Sequence, residues 1–300
     1  MLSIILLVIL CIEAVLLVSF GVSLHRAGWH LGLALLLPLS VAVFWRVLIV
    51  LMSFVLSGGF RGRSLANALK NVFGESLVTL YLYTFAQPLF ALFPRWKLGG
   101  QGPVIVLVHG FLCNAGMWGN LKRKLERAGF GRVYVINVDP LYRKMEGCIE
   151  TAHVKLMRIL QRETAHSCVL IGHSMGGVLS RMLALRYPEL ITAVVSIGSP
   201  HEGTELARMV SSVNAGPARP DSAWLGAFNK IAQLSPAIHQ LNLWSDADNI
   251  VYPQRSASLA GPDGLDFKFS GIGHLQLASN RAVQAQIVLF LNAHYGVEVQ

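Results

Sequence analysis

Apolar residues crowd the first sixty positions of the chain and then break into short runs. Residues 1–24, MLSIILLVILCIEAVLLVSFGVSL, carry one charged side chain, Glu13. A membrane-spanning helix needs about 20 predominantly apolar residues, so the pattern predicts a first span. A polar turn with His25, Arg26 and His30 leads to a second apolar stretch over residues 31–56, interrupted only by Pro38 and Arg46. As straight helix that stretch would extend about 39 Å, enough to cross a bilayer with tilt. A cleaved signal peptide is the alternative for the first segment. Against it, no Lys or Arg precedes the apolar run and no A-x-A site follows. A charge at mid-membrane costs at least about 2.5 kcal/mol, so Arg46 is expected to face Glu13, a neighbouring helix or water, or to snorkel from a shifted segment.

Residues 58–70, GGFRGRSLANALK, are basic and glycine-rich, which suits a juxtamembrane linker against anionic headgroups. Residues 72–96 mix Tyr81, Tyr83, Phe85, Phe90, Phe93 and Trp96 with Pro88 and Pro94, too broken for a third span. They are expected to lie at the interface or to pack on the domain that follows. Beyond residue 99 short apolar runs alternate with amphipathic stretches, the pattern of an α/β domain with a mostly parallel sheet flanked by helices. Strands are expected over 104–108, 132–138, 168–171, 193–197, 240–244 and 266–270, and helices over 115–128, 149–163, 175–186 and 277–293. The resulting organisation is transmembrane helices over 1–58, a basic linker and interfacial segment over 59–98, and an α/β domain over 99–300 with a candidate cap at 201–239. Within that cap, SAWLGAFNKIAQL sets Trp224, Leu225, Phe228, Ile231 and Leu234 at helical spacing, either a helix packed on the core or a lid.

Composition narrows the class. Hydrophobic residues make up 53% of the 300 positions and charged ones 14%, against roughly 25% charged in an ordinary soluble chain, which excludes a disordered or fibrous protein. Cys11, Cys113, Cys148 and Cys168 lie far apart with no C-x-x-C pair, so reduced thiols are expected rather than a disulfide scaffold or a zinc ribbon. The net charge of +9 would suit nucleic acid or an anionic membrane. Arg61, Arg63, Lys70, Arg95 and Lys97 border the apolar segments and no RNA- or DNA-reading motif accompanies them, so the partner expected is the membrane and not nucleic acid.

The chemistry gathers at strand-to-helix junctions. Gly172-His173-Ser174-Met175-Gly176-Gly177 follows an apolar strand and opens a small-residue helix. Small neighbours permit a sharp turn that lifts a serine hydroxyl into the open, with helix N–H dipoles behind it for a developing anion, so Ser174 is the candidate nucleophile. An earlier strand ends in His109-Gly110-Phe111, and a later one runs into Gly198-Ser199-Pro200-His201-Glu202-Gly203-Thr204. Taken with residues 104–111 and 172–177, this turn resembles the α/β-hydrolase fold. Within that fold it is similar to bacterial lipases and esterases, with their strand ending in HG, their GHSMGG and their G-S/T-P-H-x-G-S/T turn. The resemblance covers about residues 99–293 and none of the hydrophobic N-terminal third.

That resemblance implies a serine hydrolase whose catalytic residues occur in the order serine, acid, histidine. His201 and His239 are then out of order as bases, and His294 lies in a C-terminal helix. His274, after a strand and within Gly271-Ile272-Gly273-His274-Leu275, is the candidate general base. Asp246 and Asp248 are both candidate acids. Asp248, in Ser245-Asp246-Ala247-Asp248-Asn249-Ile250-Val251, matches the family's S-x-x-D-x-I/V-V, and the role is carried to it, while Asp263 and Asp266 are expected to structure a turn. The backbone N–H groups of Phe111 and Met175 are the implied oxyanion hole, and His109 is expected to orient its loop. Where some relatives hold calcium through an Asp two residues after the histidine, this chain has Gln276, so neither a metal nor another cofactor is implied. The expected activity is cleavage of carboxylic esters, above all acyl lipids, by a membrane-anchored enzyme. The rivals are an acyltransferase using the same triad and a catalytically silent binding protein. Arg61, Arg63 and Lys70 after the second span, against Arg26 between the spans, place the catalytic domain in the cytoplasm at a bacterial inner membrane by the positive-inside rule.

Overall fold

Six strands form one sheet in which every neighbouring pair is parallel: β1 (Val104–Val108), β2 (Val133–Ile136), β3 (Cys168–His173), β4 (Ile191–Ile197), β5 (His239–Ser245) and β6 (Gly264–Phe269), in the order β2-β1-β3-β4-β5-β6. The computed structural model describes residues 2–90, 100–138, 143–211, 215–234, 238–259 and 264–296. Phe93, Pro94, Arg95, Trp96, Lys97 and Asp263 lie outside the described residues.

Both faces of the sheet are covered, which is why its strands read as unbroken apolar runs rather than alternating ones. Ile105 and Leu107 of β1, with Val169 and Ile171 of β3, meet Leu121 and Leu125 of α5 (Gly119–Arg127) and Ile287 and Leu291 of α10 (Arg281–Tyr295). The alternate residues Val104, Val106 and Val108 meet Cys148, Ile149 and Ala152 of α6 (Met145–Arg162) and Leu179 and Leu183 of α7 (Met175–Arg186). The connection leaving β1 runs to β2 and the one leaving β3 runs the other way to β4. The C-terminal ends of β1 and β3 therefore border a topological switch point, the crevice where open parallel sheets bind ligands.

Before the sheet come α1 (Leu2–Arg26), α2 (Leu31–Leu56) and α3 (Leu65–Tyr81), then a π-helical turn (Leu82–Ala86) and the short α4 (Gln87–Leu89). α1 and α2 form a hairpin, and Arg46 lies on Glu13, Nη1 to Oε1 at 2.6 Å and Nη2 to Oε2 at 2.5 Å. A paired charge of this kind removes much of the cost of carrying Arg46 in an apolar helix. Residues 65–70 of the expected linker and the start of the expected interfacial or packed segment fold together into α3. Its Ala68, Val72 and Glu75 are buried while Val78 packs on the sheet's core, and the Ser64 hydroxyl caps it by accepting from Asn67 N.

The closing element differs from the pattern-based expectation, while residues 223–234 form the helix expected there. The closing helix is divided into α9 (His274–Ser279) and α10, because Asn280 is extended and its side chain accepts from Ala282 N at 2.9 Å, which starts a new helix. α8 (Ala223–Leu234) turns Leu225 and Phe228 onto Val178 of α7 and leaves Ile231 exposed. Asp266 lies in β6, where it accepts from Trp244 Nε1, Ser258 Oγ and Leu259 N.

Candidate active site

Ser174 stands between β3 and α7 with φ 56° and ψ −129°, a backbone conformation that costs a non-glycine residue about 1–3 kcal/mol and that clusters at functional sites. The turn is tied down on both sides: Ser174 N donates to Ile197 O of β4 at 2.9 Å, and Gly177 N donates back to Ser174 O at 3.0 Å. The flanking glycines are required by close approach, since a Cβ at Gly172 would lie 2.3 Å from Gly176 O. From β1 comes the second wall. A Cβ at Gly110 would sit 2.7 Å from Ser174 Cβ and 3.3 Å from Ser174 Oγ, so the chain passes directly against the serine there. Phe111 follows Gly110 and Met175 follows Ser174, so both flank the two residues in this contact. His109 orients this loop: its Nε2 accepts from Val138 N at 3.1 Å, which leaves Nδ1 to donate to Gly110 O at 2.9 Å.

Across the crevice, His274 opens α9 and Asp248 ends the turn after β5. Both are buried, and His274 Nδ1 lies 2.8 Å from Asp248 Oδ2. Asp248 Oδ1 is occupied by the N–H groups of Ile250 and Val251, each at 2.8 Å, so the carboxylate cannot rotate away. With Nδ1–H donated to the carboxylate, the imidazole presents Nε2 as its proton acceptor. Burial opposes a charged ring, but the Asp248 carboxylate and, after it, Glu75 hold the His274 pKa above the ordinary value.

Asp246 is two residues away and does other work. Its carboxylate meets Arg63 at 2.5 Å and Ser270 Oγ at 2.8 Å. Although partial burial opposes ionisation, these partners hold its pKa below the usual value. The remaining histidines after Ser174 are elsewhere. His201 is buried between Arg181 Nη1 at 3.1 Å and Asn242 Oδ1 at 3.2 Å, and burial next to that guanidinium keeps it neutral, well below its ordinary pKa. His239 starts β5 at the opposite end of the sheet, where it lies on the ring of His294.

Three further residues shape the site: His173 sits within the GHSMGG motif, while Asn249 and Glu75 carried no signal that marked them. His173 donates from Nε2 to His274 O at 2.9 Å, and burial together with His274 pushes its pKa down to about 3, so it is a neutral strut. Asn249 accepts from His274 N at 2.9 Å and donates to Ser53 Oγ of α2 at 2.7 Å. Glu75 of α3 bonds the first turn of α9. Among the described residues, no group of three or more His, Cys, Asp and Glu side chains could hold a metal ion.

Comparison with known proteins places this geometry in context. The alpha/beta hydrolase fold family matches residues 150–219. A triacylglycerol lipase of Pseudarthrobacter phenanthrenivorans is 32% identical over 117 residues, 36% of this chain and 36% of that protein. A pimeloyl-acyl-carrier-protein methyl ester esterase of Vibrio atlanticus is 31% identical over 104 residues, 35% of this chain and 39% of that protein. The chain thus matches little more than a third of the length of these curated relatives. Among solved structures, a Bacillus licheniformis lipase in mature form superposes with a TM-score of 0.52 at 17% identity, over 66% of this chain and 96% of that one.

Proposed function

The chain has the α/β-hydrolase fold and is similar to lipases and esterases, and from that premise we propose that it is a membrane-anchored serine hydrolase that cleaves carboxylic esters of acyl lipids. The observation that carries the reading is the buried 2.8 Å contact of His274 Nδ1 with Asp248 Oδ2, joined through the 2.9 Å bond of His173 Nε2 to His274 O to the turn of a serine held at positive φ. In this mechanism Ser174 Oγ attacks the ester carbonyl while His274 Nε2 takes its proton. The N–H groups of Phe111 and Met175 receive the negative charge that develops on the carbonyl oxygen. His274 then returns the proton to the departing alkoxide, which leaves as the alcohol. Water, deprotonated by the same nitrogen, attacks the acyl-serine, and the acid departs as Ser174 regains its proton.

The membrane part of the proposal is supported by α1 and α2, with 25 and 26 residues. Of the most apolar 18 residues in each, only 6% and 17% are buried. A core helix of a soluble protein would hide that surface. α3 and its continuation add Leu65, Leu69, Phe73, Leu77, Tyr81, Phe85 and Leu89, every fourth residue and each between 39% and 75% exposed. The other side of the same segment reaches the loop after β1, where Tyr83 OH donates to Leu112 O at 3.0 Å. A substrate arriving from the lipid phase would meet the crevice along it. By the same charge asymmetry noted in the sequence, the hydrolase faces the cytoplasm.

The test uses the full chain in detergent and in lipid nanodiscs. A fluorophosphonate should label the wild type at Ser174 and leave Ser174→Ala unlabelled, and the variant should lose ester hydrolysis while keeping its fold. Retention of wild-type turnover by Ser174→Ala would refute the nucleophile. Product analysis with an added alcohol should return the free acid, and an acylated alcohol as main product would redirect the assignment to acyl transfer.

A further inference from the structure

The triad reading accounts for one buried carboxylate beside His274, and the site contains two. Glu75 belongs to α3, outside residues 150–219 that the family matches and outside the resembling residues 99–293, and is 1% exposed. Its Oε1 accepts from Leu275 N at 2.8 Å and its Oε2 from Gln276 N at 2.9 Å. Both oxygens therefore close on the first turn of α9, the turn that His274 begins. The neighbours are shaped to this contact: a Cβ at Gly273 would lie 2.4 Å from Glu75 Oε2, and one at Gly74 would lie 2.8 Å from Gln276 Nε2. One turn earlier, Asn71 donates to Gly271 O at 2.8 Å in the amide orientation that satisfies its neighbours.

We propose that Glu75 is a positioning residue of the catalytic centre, which fixes the first turn of α9 and hence the His274 ring, and adds a second anionic charge for the imidazolium formed during attack. The inference rests on the triad reading. Holding a helix turn needs only acceptors, which a neutral side chain supplies, whereas a buried carboxylate also acts on charge. The charged and titratable groups around Glu75 are His274 of α9, Asp248 of the loop after β5, Tyr83 of the π turn and Cys113 of the loop after β1. Tyr83 and Cys113 stay neutral, the thiol pushed up to about 12 by burial. His274 is the cation that Glu75 can stabilise. Burial raises the Glu75 pKa to about 7 against the lowering effect of its two N–H bonds, so the carboxylate is anionic on the alkaline side of neutrality. Its counterpart is that, against the opposing effect of burial, Asp248 and after it Glu75 hold the His274 pKa up.

The experiment compares full-length wild type, Glu75→Gln and Glu75→Asp on a soluble p-nitrophenyl ester from pH 5 to 9, with fluorophosphonate labelling rates at the plateau. Glu75→Gln should lower plateau kcat by about 10- to 100-fold, the scale of a misplaced catalytic group, with KM little changed. The acid limb of kcat/KM should move to lower pH by about half a unit or more, because the imidazolium loses an anionic neighbour. Glu75→Asp should keep the limb in place and lose kcat through its shorter reach. A limb that stays put in folded Glu75→Gln, with activity scaled down equally at every pH, would reduce Glu75 to a structural clamp and overturn the proposal. Should Glu75→Gln not fold, wild-type kcat in Glu75→Asp would overturn it, and a lowered kcat with an unmoved limb would support it. Absence of both labelling and hydrolysis in the wild type would instead sink the hydrolase reading, and this inference with it.

Discussion

Replacing Asp248 by Asn separates the two carboxylates of the turn after β5. Asp248 Oδ1 accepts from Ile250 N and Val251 N, and Oδ2 faces His274 Nδ1, all at 2.8 Å. An asparagine keeps its carbonyl oxygen on the two backbone donors, since turning the amide over would leave both unpaired at about 1–3 kcal/mol each. Its NH2 then meets His274 Nδ1, which must become an acceptor. The ring proton moves to Nε2, the atom that has to take the proton of Ser174. Loss of the orienting acid in Ser-His-Asp enzymes costs about 10⁴ in kcat, equivalent to about 5 kcal/mol of barrier. Asp246 gives the control. Its half-buried pair with Arg63 is worth about 0.2–1 kcal/mol, so Asp246→Asn should leave kcat within about fivefold of wild type. Turnover of a p-nitrophenyl ester by the full chain, with active sites counted by fluorophosphonate, measures both. Asp248→Asn within about tenfold of wild type, or a larger loss in Asp246→Asn, would refute the assignment of the acid.

Two other outcomes follow from how the N-terminal helices meet the catalytic loops. A chain cut to residues 99–300 keeps every strand of the sheet but loses Glu75 from α9 and Ser53 from Asn249. It also loses Gln87, which accepts from Asn114 N at 2.7 Å. Its kcat should fall by about 100-fold or more, and a truncated protein as active as the full chain would refute that dependence. Combined Leu69→Asp, Phe73→Asp and Leu77→Asp should depress hydrolysis of a lipid ester in vesicles while sparing an acetyl ester in water; equal effects on both would show that this face does not meet the bilayer.

How much of this was legible in the sequence depends on whether a residue's partners are local. The turn at Ser174, the proposed nucleophile, is local: Gly172 and Gly176 are glycines because the chain crosses itself there within a few residues, and the motif records that crossing. The His274 loop was legible through Gly271, which takes φ 72°, whereas Gly273 answers to the distant Glu75. The choice between Asp246 and Asp248 was harder, because both sit in one polar turn. Only the packing separates them, with one carboxylate under α9 and the other on Arg63. α8 was ambiguous between core and lid because an apolar stripe specifies a buried face without its partner, which proves to be Val178 of the helix behind the serine. Asn280 was a readable cap that the apolar periodicity of residues 277–293 masked. Glu75 had no local signature. Its bonds cross 200 and 201 positions of chain, and in LANALKNVFGESLVTLY it reads as one solvated charge on an amphipathic helix. The one hint is that it shares a face with Ala68, Asn71 and Val72, a face that would be odd for a charge unless something met it.

The position of Glu75 also bears on why such a residue would be retained. A carboxylate whose pKa stands near 7 in the fold, against 4.5 ordinarily, binds more protons folded than unfolded between those values. Stability from this group is therefore full below about pH 4.5 and falls as pH rises through 7, by an amount on the order of 3 kcal/mol. The range in which the fold loses that stability is the range in which an ester hydrolase with a histidine base must work, since His274 has to be neutral to accept the serine proton. A neutral acceptor at position 75 would avoid the loss and still bond part of α9. Keeping the charge is a net disadvantage for folding alone, and it becomes an advantage only where a cation is made and unmade beside it. On the proposed mechanism that cation is the His274 imidazolium. The destabilised carboxylate on α3 and the proposed base on α9 would then be two sides of one electrostatic arrangement, in which stability near neutral pH is given up for a lower barrier at the serine.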